Sequence, residues 1–219
     1  MAIVDTVKFM TNPARVVPSP VLKRLTDYYT TVQGLTAEGV EWVSSSRLAD
    51  VLGLTSSTVR QDLSHLDFAG VSKRGYRTSG LEKALACALG ADRIWNMLVV
   101  GAGNLGRALV LHPEFRRRGF MIRAVCDSDV FKTGLKLRTL EVQRMNQIPQ
   151  AVKEHAIDIG VIAVPEDAAQ GVADLLVEAG VKGLLNLTPT HITAPEGVAV
   201  TDARILASLQ ELTHTLMGK

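Results

Sequence analysis

Apolar residues recur along this chain with two different periods, and the change from one to the other divides it. Val21, Leu22, Leu25, Tyr28, Tyr29 and Val32 follow at helical spacing. Ser19-Pro20 ahead of them offers a serine cap and then a proline where the missing N–H costs nothing, and Gly34 offers a stop. Ser44-Ser45 caps a second, short helix through Leu48, Ala49 and Leu52, which Gly53 terminates. Three residues later Ser56-Ser57 opens another, with Val59, Leu63 and Leu66 on one face. Two short helices across a tight glycine turn predict helix-turn-helix architecture. Phe68–Thr78 reads as a small hairpin with Lys73-Arg74-Gly75-Tyr76-Arg77 at or near its tip, and Ser79–Leu89 as a linker helix ending at Gly90.

Beyond that glycine the pattern alternates between short apolar runs and amphipathic stretches. Met97–Val100, Met121–Cys126, Ile159–Val164 and Gly183–Leu187 read as strands. Leu105–Leu111, Ile148–Glu154 and Asp167–Ala179 lie between them as helices. Such alternation predicts an α/β domain, a doubly wound parallel sheet with helices on both faces. A last helix, Ala203–Met217, is expected to be capped by Asp202 and to carry Ile205, Leu206, Leu209, Leu212 and Leu216 as an apolar stripe. The expected division is therefore residues 1–80, 81–202 and 203–219, with the boundary falling near 79–93.

Composition changes this picture little. In 219 residues, 47% hydrophobic and 21% charged, a packed core is expected and disorder is not. No apolar run reaches the roughly 18 residues of a membrane span, and the first residues do not read as a signal peptide. With Cys87 and Cys126 alone, and no CxxC or Cys/His spacing, neither a disulfide framework nor a zinc site is expected. The chain reads as a soluble cytoplasmic protein. Its net charge of +2 sits wholly in the first 90 residues.

The strongest local chemistry is Gly101-Ala102-Gly103-Asn104-Leu105-Gly106, directly after an apolar strand and opening a helix. In that context the glycines allow a tight turn, close approach of a pyrophosphate, and close helix–strand packing. The helix N-terminus adds free N–H groups and a favourable dipole. Asp127 ends the next strand, where a carboxylate can accept hydrogen bonds from an adenosine ribose and repel a 2′-phosphate. NAD(H) is therefore the expected cofactor. Val164-Pro165 and Asn186-Leu187-Thr188-Pro189 close later strands, at the carboxyl edge where ligands of open parallel sheets lie.

A recognition helix would present Ser56, Ser57, Thr58, Arg60 and Gln61 near its N-terminus to base edges and phosphates. Arg suits guanine and Gln adenine. Lys73, Arg74 and Arg77 could reach the backbone or a narrow minor groove. Arg116-Arg117-Arg118 reads as a solvated helix end, Tyr28-Tyr29 as core packing, and Cys126 as a buried small hydrophobe.

In order, Val43-Ser44-Ser45, Val59-Arg60-Gln61-Asp62, Lys73-Arg74-Gly75-Tyr76 and Gly101-Ala-Gly-Asn-Leu-Gly-Arg-Ala-Leu109 resemble the Rex family of redox-sensing transcriptional repressors. Ile159–Pro165, Ala168-Ala-Gln170 and Ala179-Gly-Val-Lys-Gly183 continue the likeness, which runs from about Val17 to Leu216. The resemblance implies a winged helix-turn-helix domain, a Rossmann-like domain and a C-terminal helix exchanged within a homodimer. It also implies a palindromic double-stranded operator, released when NADH binds, and no catalysis. It adds Ser45, His65 and Tyr76 to the DNA-contacting candidates. Three positions depart from the family pattern. An arginine on the first helix, a tyrosine after the glycine loop and an aspartate opening the last helix are here Thr30, His112 and Arg204. Leu63 and His65 also stand for aromatics of the recognition helix, and Gln61 for a basic residue. Two alternatives stay open: a regulator of the same fold with altered NADH response or another nucleotide effector such as coenzyme A, and a small NAD-dependent oxidoreductase using His112 or His191.

Overall fold

A computed structural model describes residues 17–218, and the chain divides into two units, one ending at Asp92 and the other beginning at Arg93. The first residues, read above as lacking a signal peptide, lie outside the described part. The division falls at the far end of the expected 79–93 region because the predicted linker helix packs into the first unit, burying Leu81 and Leu85 in its core.

That unit is built on α1 (Ser19–Ala37), β1 (Trp42–Val43), α2 (Ser45–Leu52), α3 (Ser56–Leu63), β2 (Tyr76–Arg77) and α4 (Thr78–Leu89). Pro18, not Ser19, caps α1, and the helix runs through Gly34 to Ala37, since a glycine inside a helix weakens it without ending it. Ser44 caps α2 by accepting a hydrogen bond from the Arg47 N–H, and Gly53 closes that helix in the left-handed conformation. Thr55 caps α3 through the Thr58 N–H. The predicted hairpin is smaller than expected: β2 pairs antiparallel with β1, and Val71 bridges Gly75 around a tight tip. Gly75, at φ +91°, lies so close to the Val43 carbonyl that a Cβ would collide with it.

The second unit carries a seven-stranded sheet in the order β5-β6-β4-β3-β7-β8-β9. Its strands are β3 (Trp95–Val100), β4 (Phe120–Asp127), β5 (Lys136–Leu137), β6 (Leu140–Arg144), β7 (Ile159–Ile162), β8 (Gly183–Asn186) and β9 (Ala199–Asp202). All neighbours run parallel except the β5–β6 edge hairpin. Strands buried on both faces read as unbroken apolar runs. In β3, Leu98 and Val100 join a core with α7 (Ile148–His155) and α8 (Ala169–Glu178), while Met97 and Val99 join one with α5 (Asn104–Leu111) and α6 (Pro113–Arg117). The connection from β4 to β6, residues 128–139, has no helix.

The last helix, α9, spans Ile205–Met217. Asp202 does not cap it. That residue ends β9, and Arg204 stands at the cap position without a side-chain capping hydrogen bond. None of α9's residues is buried. Ile205, Leu206, Leu209, Leu212, Leu216 and Met217 are between 50% and 86% exposed.

Candidate nucleotide crevice and nucleic-acid interface

The glycine loop joins β3 to α5, and its three glycines meet different demands. Gly101 sits at φ +104° against the Ala163 carbonyl, and Gly106 faces the Gly101 carbonyl, so at either a Cβ would strike backbone. A Cβ at Gly103 would meet nothing within 4 Å. Gly101 and Gly106 are thus required by the fold itself. Gly103 leaves open space before the N-terminus of α5, which has no side-chain cap and whose first N–H groups lack helical acceptors. Asn104 and Leu105 begin that helix.

Asp127, at the end of β4, is 7% exposed. Its carboxylate accepts the N–H of Ala102 at 2.6 Å and of Asp129 at 2.8 Å, with Lys132 Nζ at 3.3 Å. Burial alone would raise its pKa. The two N–H groups and the Lys132 charge outweigh it and hold the carboxyl below its ordinary value. An ionised carboxylate accepts about four hydrogen bonds, so capacity for another donor remains.

Val164 packs by the Gly101 backbone, and Pro165 starts a single 3-10 turn, Glu166–Ala168, before α8. Asn186 is fully buried. Its Oδ1 accepts from the Thr188 N–H and hydroxyl, while Nδ2 donates to the Thr190 carbonyl and to Asp202. Asn186 and Thr188 therefore build the turn that carries Pro189, their polar groups directed into it. Asp202 also pairs with Arg204 at 2.9 Å and lies 3.5 Å from His191. The hydrogen bond from Asn186 lowers its pKa against a smaller opposing effect of burial, with Arg204 and His191 adding to the lowering.

At the family-departure positions the side chains make local contacts. Thr30 Oγ1 donates to the Thr26 carbonyl within α1. His112 Nδ1 accepts the Glu114 N–H and the ring stands edge-on to Phe115. In Arg116-Arg117-Arg118, Arg117 and Arg118 pair with Glu114, as a solvated helix end would, but Arg116 does not.

In the first unit Ser57, Arg60 and Gln61 are exposed on one face of α3 while Val59, Asp62 and Leu63 are buried on the other. Arg60 Nη1 donates to Ser45 Oγ at 3.2 Å. Both line a shallow pocket of about 460 Å³ with Lys73, Arg74 and Tyr76. The Arg74 guanidinium lies 4.0 Å over the Trp42 ring, and Lys73 holds the tip at φ 62°. Ser56 opens α3, and the Thr58 hydroxyl is shared with the Thr55 cap. His65 lies past the end of the helix, half-buried, with its N–H on the Asp62 carbonyl, so it stands apart from the exposed face.

Asp62, which closes the Val59-Arg60-Gln61-Asp62 segment, has a structural part that its place in the sequence does not announce. It is 2% exposed, accepts both Nε (2.6 Å) and Nη2 (2.8 Å) of Arg24, and accepts the Tyr28 hydroxyl at 2.8 Å. Arg24 holds the Asp62 carboxyl below its ordinary pKa against the opposing effect of burial. Burial first, then the Asp62 bond, pushes the Tyr28 phenol up. Arg24 and Tyr28 stand four apart on α1, one helical face, and that spacing was the available signal.

A basic-winged helix-turn-helix unit followed in the chain by a doubly wound unit with a phosphate-type glycine loop defines a DNA-binding regulator of the ligand-responsive class. Family models agree with both halves: residues 16–64 match one described as a DNA-binding protein N-terminus, and residues 92–190 a CoA binding domain. Among curated proteins, the redox-sensing transcriptional repressor Rex of Carboxydothermus hydrogenoformans is 40% identical over 91% of this chain and 96% of its own. Rex 1 of Thermotoga maritima is 40% identical over 94% and 99%. The solved structure of RSP, a Rex-family repressor, with β-NAD⁺ and operator DNA matches at TM-score 0.88 and 32% identity, covering 92% of this chain and 93% of that one. RSP with β-NADH matches at TM-score 0.83 and 33% identity, covering 92% and 94%. The chain belongs to the Rex family of redox-sensing transcriptional repressors, so the oxidoreductase alternative falls away.

Proposed function

We propose that this chain represses transcription by binding a palindromic operator and reads the NADH/NAD⁺ ratio through its second unit, NADH favouring release. The observation that carries the nucleotide half is Gly103. Of the three loop glycines it alone has open space where a Cβ would stand, and a pyrophosphate approaching the α5 N-terminus needs that space. Gly101, Ala102, Asn104, Leu105 and Gly106 shape the cradle, and Asp127 offers an acceptor to the ribose. Val164, Pro165, Asn186, Thr188 and Pro189 form the carboxyl-edge wall of the nicotinamide half. The bound cofactor supplies no chemistry here beyond its redox state, which the protein converts into a preference between two arrangements.

Ser57, Arg60 and Gln61 face the major groove, with Ser56 and Thr58 at the helix start; Ser45, Lys73, Arg74 and Tyr76 meet the backbone beside them, and His65 takes a peripheral place. The chain works as a homodimer, α9 laying its apolar stripe on a second copy, and it works in the cytoplasm. No described helix is long and apolar enough to cross a membrane. Because Thr30, His112 and Arg204 stand where the family pattern has an arginine, a tyrosine and an aspartate, switching runs through other residues or with a smaller coupling energy than that pattern implies.

The test is fluorescence anisotropy on a palindromic A·T-rich duplex at one salt concentration, titrated separately with NAD⁺, NADH and coenzyme A. Release by NADH alone supports the full reading. Release by coenzyme A alone transfers the sensor to another nucleotide. Binding indifferent to all three leaves a repressor without redox control.

A further inference from the structure

The β4–β6 connection supports a second site, at the opposite end of the sheet from the glycine loop. Parallel strands are ordinarily joined by a crossover that includes a helix covering the sheet. Residues 128–139 make this crossover without one. The β4–β6 register also begins late: Val125 is opposite Val142 and β6 starts at Leu140, so Phe120–Ile122 of β4 extend past it with only β3 beside them. A pocket of about 520 Å³ occupies the gap. Phe115, Phe120, Ile122 and Leu137 form its apolar wall.

Its polar lining is one-sided. Arg116, Arg123 and Arg138 all line it, and no acidic residue does. Arg123 donates Nε to the Asn96 amide oxygen at 2.8 Å, and none of the three arginines has a carboxylate within ion-pair distance among the described residues. The contrast within one short run is informative, since Arg117 and Arg118 share Glu114 while Arg116 turns to the pocket. Like charges gathered at one rim repel each other, and an anion spanning them removes the repulsion. Guanidinium forks match the planar geometry of a carboxylate. The volume lies within the range of small-molecule sites.

We propose that this pocket binds an amphiphilic organic carboxylate, a medium-chain or aryl acid, with its apolar body against Phe115, Phe120 and Leu137 and its carboxylate among Arg116, Arg123 and Arg138. The site is separate from the nucleotide crevice, and the proposal does not depend on the function proposed above.

Isothermal titration calorimetry of the full chain with octanoate tests it, using octanol, octylamine and acetate as probes that keep only the body, reverse the charge, or keep only the charge. Octanoate should bind saturably at one site per chain, and the three comparators at least about tenfold more weakly. Arg116→Gln with Arg138→Gln should weaken octanoate by about tenfold or more at unchanged melting temperature. Arg138→Glu should shift preference toward octylamine. Octanol binding as well as octanoate would reduce the pocket to an apolar dent and overturn the proposal. So would unchanged octanoate affinity in the double variant, or no saturable binding at millimolar octanoate.

Discussion

Replacing Asp62 by alanine should loosen the recognition helix from the helix that supports it. The carboxylate takes two hydrogen bonds from Arg24, at 2.6 and 2.8 Å, and one from Tyr28 at 2.8 Å. Removing one partner of a fully buried ion pair costs about 3–5 kcal/mol. Arg24 is 30% exposed at its side chain and can turn to water, which discounts its share. Tyr28 is fully buried and cannot, so its hydroxyl bears the cost of an unsatisfied donor, about 1–3 kcal/mol. The sum comes to about 2–4 kcal/mol. The chain has two tryptophans, Trp42 and Trp95, one in each unit. Urea unfolding followed through Trp42 in a Trp95→Phe background therefore reads the DNA-binding unit alone. Because the Asp62 pKa is lowered on folding, its contribution is fully present above the unfolded value of about 3.9 and is lost as pH falls through the folded one. The gap between wild type and Asp62→Ala should thus be constant near neutrality and close in acid. Tyr28→Phe should cost about 1 kcal/mol in the wild type but stabilise the Asp62→Ala background, where it removes the unsatisfied hydroxyl. A loss below about 0.5 kcal/mol, within the range of ordinary surface changes, or equal Tyr28→Phe effects in both backgrounds, would refute the network.

Other expectations separate fold from binding. Gly103→Val should abolish NAD⁺ and NADH binding by calorimetry at a wild-type melting temperature, whereas Gly106→Ala should lower the melting temperature itself; unchanged nucleotide affinity in the first variant removes Gly103 from the cradle. Arg60→Ala should weaken operator binding by about 1–3 kcal/mol in anisotropy, with the loss concentrated at one base position if Arg60 reads a base. Deleting residues 203–219 should convert dimer to monomer in sedimentation velocity, and a stable dimer after deletion moves the interface elsewhere. Burial pushes the Cys126 thiol up to about 12 while Cys87 is exposed, so a disulfide reagent near pH 8 should titrate one thiol in the native chain and two after denaturation.

Much of this organisation was legible in the residues because local rules and packing agree. Ser44 and Gly53 bracket α2 as cap rules require, and Leu98–Val100 form a strand buried on both faces. What escaped was decided at a distance. Lys136–Leu137, Leu140–Arg144 and Ala199–Asp202 are short or edge strands whose mixed residues carry no clean period. They are strands because a neighbour supplies the ladder. Asp202 looked like a cap because it precedes an apolar stripe, but β8 holds it in the sheet through Asn186. Within the crevice, position was readable and orientation was not: Asn186 stands at the expected edge with its amide committed to Thr188, Thr190 and Asp202. The separation of Gly103 from Gly101 and Gly106 likewise depends on which backbone lies opposite each.

The terminal helix has a consequence for gene dosage. In the proposed homodimer, a stripe from Ile205 to Met217 that is exposed in the single chain leaves assembly to the supply of second copies. Where single chains predominate, halving their number lowers the population of pairs about fourfold by mass action. A promoter under such control is therefore derepressed more steeply than the protein is depleted. Cell division, proteolysis and the strength of the repressor's own promoter then become inputs to the circuit alongside the nucleotide pool.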